Sequence, residues 1–233
     1  MTNKEASESR QAAANEPEVT PGKNVEHPEV MNKASARQPD TVNLKVVQHT
    51  DTSKNEIVLD MEKDGKIYIF NGKPDGSAPA VEFIHVLAAG AAGPDPHIHT
   101  KQTETFHVVS GTMVARVKGQ EDVTLGPGEK ITVPPGKTHT FSNGSKGDPL
   151  ELRIVVEPAL DFQWFMTEAV KSGLRNGGRQ KDMPLLEAGH LMWLSRDQQR
   201  IGGMPYFMQD ALFGILSLVA RITGKAGNIA PKP

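Results

Sequence analysis

Two hydrophobic periods divide the chain. Between residues 41 and 157 apolar residues recur in short alternating runs: NLKVV, EIVLDM, KIYIF, AVEFIHVLA, TFHVVSGTMVARV, DVTL, EKITV, HTFSN and LELRIVV. Gly, Pro, Asn and Asp separate the runs. A period of two puts every second side chain on one face of a sheet, so each run predicts a strand. In the last run Leu152, Ile154 and Val156 share a face while Glu151 and Arg153 take the other. Many short strands with such turns predict a sandwich or a barrel.

After Pro158 the period becomes helical. LDFQWFMTEAVKSGL (160–174), PLLEAGHLMWLSRDQQ (184–199) and PYFMQDALFGILSLVARITG (205–224) predict three amphipathic helices. In the third, Leu212, Ile215, Leu216, Val219 and Ile222 form a stripe that must pack on something. The candidates are the barrel or a second subunit, with attachment to a membrane surface as the alternative. Its continuous apolar part falls short of the ~20 residues that span a bilayer. Residues 1–40 hold almost no sizeable apolar residue beyond Val19, Val25 and Val30, too few to offset the entropy of ordering. The expected organisation is a disordered tail over 1–40, an all-β barrel over 41–158, a helical extension over 159–225 and a short tail over 226–233. The last part of the first tail, residues 27–31, could alternatively pack on a partner subunit.

Composition narrows the function. With 233 residues the chain has length for one domain with appendages, and a net charge of −2 offers no basic surface for nucleic acid. It has no cysteine, which removes disulfide frameworks and thiolate metal sites and suits a reducing compartment. The segment MTNKEASESR lacks the apolar core of a secretory signal, so a cytoplasmic location is expected.

The candidate chemistry lies in PHIHTKQTETFHVVSG and GEKITVPPGKTHTFSN. His97 and His99, two apart on a strand, point the same way and can meet one ion. Glu104 opens a second alternating run, sharing its face with Phe106 and Val108. His139 follows a tight reversal marked by Gly128, Pro134 and Gly136, with Phe141 on its own face. Three imidazoles and a carboxylate have the composition of a metal site. Phe83, Phe106, Met113 and Phe141 are candidate walls of a substrate pocket, with plain barrel core as the alternative. Trp164, Phe165 and Trp193 could join them if the helices cap the mouth. His27, His49, His85, His107 and His190 read as ordinary structural residues, and Asn143 as a turn residue.

At these residues the chain resembles the cupins. The motif G-x5-H-x-H-x3-4-E-x6-G is matched by His97, His99, Glu104 and Gly111, departing only at its opening glycine, where Ala91 stands between Gly90 and Gly93. The motif G-x5-P-x-G-x2-H-x3-N is matched by Gly128, Pro134, Gly136, His139 and Asn143. The resemblance implies a jelly-roll barrel, often dimeric, holding one divalent transition metal per chain. Its ligands would be His97, His99, Glu104 and His139. Nitrogen and oxygen donors suit Fe, Ni, Co, Mn, Cu or Zn without choosing among them, and Fe is the metal expected first.

Within the family the motif set is most similar to single-barrel bacterial quercetinase-like dioxygenases. That likeness implies O2-dependent oxidation of a small phenolic, enolic or diketone-like substrate, with Glu104 serving as both ligand and catalytic base. Two other classes stay open: a Zn-type Lewis-acid cyclase, lyase or isomerase, and a non-catalytic metal- or ligand-binding protein.

Overall fold

The structure is a computed structural model that describes residues 50–51, 56–71 and 77–233. The tail expected over 1–40, the run NLKVV, and His27 and His49 lie outside the described residues. The strands are β1 (Thr50–Asp51), β2 (Glu56–Met61), β3 (Lys66–Asn71), β4 (Val81–Leu87), β5 (His97–His99), β6 (Thr103–Ser110), β7 (Met113–Val117), β8 (Val123–Leu125), β9 (Lys130–Val133), β10 (His139–Asn143), β11 (Leu150–Glu157) and β12 (Gln199–Ile201). The helices are α1 (Phe162–Asn176), α2 (Leu185–Leu194) and α3 (Tyr206–Ile222), with β12 between the last two.

All strand pairs are antiparallel. One sheet runs β1-β2-β3-β4-β11-β6-β9, the other β12-β5-β10-β7-β8. Alternation sets which residues face inward: Tyr68 and Phe70 on β3, Phe83 and His85 on β4, Glu104, Phe106 and Val108 on β6, Leu152, Ile154 and Val156 on β11, and His139 and Phe141 on β10 are all buried. One row of registered neighbours, Phe70, Phe83, Ile154 and Phe106, crosses the first sheet. The sheets meet where the rings of Phe106 and Phe141 approach to 5.1 Å, and the core continues onto α1 through Phe162 and Val170.

Gly111, between β6 and β7, has φ +83°, and a Cβ there would stand 2.4 Å from the Pro149 carbonyl oxygen. Gly111→Ala is therefore expected to lower stability by about 2 kcal/mol or more, from the left-handed backbone and the clash together, and to lower the urea midpoint. The departure from the motif at Ala91 is explained by its neighbours. Gly90 supplies the left-handed turn at φ +66°, and Gly93 lies where a Cβ would be 2.6 Å from the Phe141 carbonyl oxygen.

The helical region departs from the sequence reading at one place. The helix read over 184–199 ends at Leu194, and Gln199–Ile201 form β12 on the edge of β5. Only about one turn of helical period remains after Leu194, and the unpaired backbone of an edge strand outweighs so short a preference. The buried Gln209 of α3 fixes the new strand, accepting from the Ile201 N–H at 2.9 Å and donating to the carbonyls of Ile201 at 2.9 Å and Met204 at 2.7 Å. Asn143, read as a turn residue, is the buried last residue of β10. Its amide donates to the carbonyls of Ala88 and Asp148, so it ties two loops together. No helix among the described residues is long and apolar enough to cross a membrane.

Candidate metal centre

Three imidazoles come from one sheet and the carboxylate from the other. His97 and His99 share a face of β5, and His139 on β10 is the registered partner of His97. Glu104 reaches across from β6. One donor atom from each of the four lies within 4.8 Å of all the others. The Glu104 Oε2 atom is the focus, 2.8 Å from His139 Nε2, 3.1 Å from His99 Nε2 and 4.0 Å from His97 Nε2.

Hydrogen bonds on the far side of each ring decide which nitrogen faces inward. His97 Nδ1–H donates to the Asp95 carbonyl at 2.9 Å and His139 Nδ1–H to the Lys137 carbonyl at 3.0 Å. For His99 the partner is the Gln102 side chain. The Gln102 amide nitrogen donates to the carbonyls of Pro158 and Ala159, both at 3.0 Å, so its oxygen must face His99 Nδ1, 3.2 Å away. Gln199, delivered by β12, donates to the same Gln102 oxygen at 3.1 Å. The Nε2 atoms of all three rings thereby face Glu104; the Nδ1–H contacts of His97 and His139 fix their ring planes, and His99 Nδ1 lies 3.2 Å from both the Gln102 oxygen and the Gln199 amide nitrogen.

This donor set fits a divalent transition metal. Nitrogen lone pairs converging on a carboxylate need positive charge between them, from a ring proton or a metal ion. His99 Nε2 is buried, and the Glu104 carboxylate 3.1 Å away is the polar group that faces it. Burial would raise the Glu104 pKa, but the charge of His99 and the hydrogen bond from His139 hold it below the usual carboxylate range. Burial opposes a charge on His99 as well, yet Glu104 and the Gln102 contact outweigh it and raise its pKa. His97 is pushed down, by burial first and then by the two other imidazoles.

The centre opens on a cavity of about 240 Å³. His97, Glu104 and Gln199 line its metal side, and Phe83, Phe141, Ile154, Phe162, Phe165 and Met166 give it apolar walls. His85 and Tyr68 also line it, their rings stacked at 4.2 Å. His85 is fully buried with Nε2 unpartnered, and burial followed by the charge of Lys66 pushes its pKa down to about 3. Burial likewise raises the Tyr68 pKa, so the phenol keeps its proton. Both groups escape a reading that treats histidines one at a time. The signal was the alternation of AVEFIHVLA, which places His85 on the apolar face with Val81, Phe83 and Leu87.

The remaining candidates divide. Phe83, Phe141 and Phe165 line the cavity. Phe106 and Met113 lie in the barrel core. Trp164 packs with Ala169, Leu191 and Ile229, and Trp193 stacks under Arg196 at 4.0 Å. His107 occupies the face of β6 opposite to Glu104, and His190 bonds to the Ser217 hydroxyl at 2.8 Å. Gln102 and Gln199 could not be found from spacing, because their partners meet only in the folded chain. Gln102→Leu is expected to weaken metal binding by about 10- to 100-fold, the usual cost of removing an outer partner, as read by competition with a chromogenic chelator.

A sequence model of the cupin domain matches residues 83–157. Among solved structures the chain is similar to a sugar phosphate isomerase from a cupin superfamily of Silicibacter pomeroyi, at 24% identity and TM-score 0.37, covering 42% of this chain and 62% of that one. It is similar to Pac13 of Streptomyces, a nucleoside dehydratase, at 21% identity and TM-score 0.37, covering 53% and 88%. It is also similar to KdgF from Halomonas sp., at 18% identity and TM-score 0.38, covering 48% and 94%. The match thus spans less than two thirds of the isomerase chain. No curated protein matches the sequence. Motif, donor geometry and sequence match coincide over one stretch, residues 83–157, which match the cupin domain.

Proposed function

We propose that this protein is a metal-dependent oxygenase acting on a small phenolic, enolic or diketone-like substrate. The observation that carries the reading is the junction of a three-histidine, one-glutamate centre with a largely apolar cavity of about 240 Å³. A divalent metal held by His97, His99, Glu104 and His139 supplies Lewis acidity to a substrate oxygen and, when redox-active, the electron chemistry that O2 requires. The apolar walls take the carbon skeleton and exclude water, and Phe83, Phe141 and Phe162 present ring faces to a flat substrate. Glu104 stays ionised near neutral pH and takes the enol or phenol proton. His85 and Tyr68 contact a second polar group on the substrate, His85 as a neutral ring and Tyr68 as a donor. Both atoms of O2 enter the product, so the substrate is the only reductant.

The second reading is a metal-dependent lyase or isomerase that needs no O2. It is favoured by the same two side chains, since a neutral imidazole and a protonated phenol in one cavity suit proton transfer between substrate carbons. O2 uptake with 2,4-pentanedione, catechol and a flavonol as probes separates the readings. The oxygenase consumes O2 in proportion to product and stops under argon. Turnover undiminished under argon transfers the assignment to the lyase or isomerase.

A further inference from the structure

Helix α3 turns its core-facing side, with Gln209, Phe213, Ser217 and Ala220, into the protein. Its other side is apolar and open. Met208, Leu212, Ile215, Val219 and Ile222 are 48, 42, 63, 38 and 76% exposed. Their spacing is four, three, four, three. That is the 3.5-residue period of a seam meant for another helix, in which each side chain enters a hole on the partner. Phe207 and Leu218, 74 and 58% exposed, widen the same surface.

From these observations we infer that α3 is a self-association surface, pairing antiparallel with α3 of a second copy about a two-fold axis at Ile215. Area supports this occupant. At roughly 200 Å² for a large side chain laid bare, the exposed fractions make on the order of 800 Å² available per chain, which is what a standard interface takes from each partner. An apolar patch of that size is rare on a monomer. Charge supports it too. No seam position is ionisable, and Asp210, on a flank of the helix, is already bound by Arg200 at 2.6 Å. A helix built to lie on lipid carries a basic border, whereas the only cation within α3 is Arg221. Antiparallel pairing also opposes the two helix dipoles, and Ile215 is the middle residue of the seam, so the axis brings it against its own copy and sets Met208 against Ile222.

The absence of cysteine makes a direct test available with the full-length chain. Sedimentation velocity at tens of micromolar is expected to give two chains per particle. Ile215→Lys, at an exposed position, is expected to weaken association by more than about 100-fold, as for a residue at the centre of an interface. The metal content of that variant should equal wild type, which establishes an intact barrel. Ile215→Cys should form an intermolecular disulfide on mild oxidation. Ile222→Cys should not, because the antiparallel pair holds its two copies roughly 20 Å apart at 1.5 Å per residue, and a disulfide needs less than about 7 Å between Cα atoms. A monomeric wild type, an unchanged dimer in Ile215→Lys, or a ready Ile222→Cys cross-link overturns the inference. So does flotation of the wild-type monomer with phosphatidylserine vesicles, which would make the seam a lipid surface.

Discussion

His139→Ala is expected to lose its metal while keeping its barrel. His139 contributes the Nε2 atom nearest to Glu104, at 2.8 Å, and its own Nδ1–H is held by the Lys137 carbonyl. Outer partners of metal ligands cost up to about 100-fold in affinity, and loss of a ligand should exceed that. The fold should survive. β10 keeps its pairing with β7 over five residues, and Phe141 continues to fill the core between the sheets. The cost of the smaller side chain is on the order of 2 kcal/mol, within the range for a buried large-to-small change. Elemental analysis and circular dichroism on one preparation check both halves, with His107→Ala on the opposite face of β6 as the control that retains metal.

The second large effect is on acid stability, and it comes from His85. Its folded pKa is about 3 against 6.5 for the free side chain, because burial and the Lys66 charge disfavour the imidazolium. The unfolded chain therefore binds a proton between those values and the folded chain does not. Stability contributed by the neutral ring is fully present above pH 6.5 and is lost as pH falls toward 3. By linkage the loss is on the order of 4 kcal/mol. His85→Phe removes the proton and keeps an aromatic ring against Tyr68 and Phe141, which flank His85 at 4.2 and 5.7 Å. Urea unfolding at pH 7.5 and pH 4.5 should then show a much smaller drop for the variant than for wild type. His97, His99 and His139 are common to both proteins, so they cancel in the comparison. Equal drops would mean that His85 is protonated in the folded state.

The parts legible in the sequence were those set by local period. Alternation fixes which side chains of a strand share a face, so His97 with His99, Glu104 with Phe106 and His139 with Phe141 could be read directly, and the folded chain brings those four polar groups together. The helical region was legible as three helices for the same reason. What failed depended on contacts between distant residues. β12 looks helical until β5 offers it an edge, and that strand then carries Gln199 to a histidine 100 positions earlier. Gln102 is an unremarkable polar residue until the carbonyls of Pro158 and Ala159 orient it. Phe106 and Phe141 are equivalent by pattern, yet only Phe141 borders the cavity, because the curvature of two facing sheets decides where space remains. His85 was within reach, since a histidine on the apolar face of a buried strand calls for a partner or a ligand.

His97, His99, Glu104 and His139 are expected to hold one transition metal ion. Elemental mass spectrometry should be run on protein purified from its native host, because overexpression can load a foreign ion. About one ion per wild-type chain is expected, of Fe, Ni, Co, Mn, Cu or Zn, and almost none in His139→Ala made in the same host. A folded wild-type protein without metal, or a His139→Ala protein that retains a full complement, would contradict it.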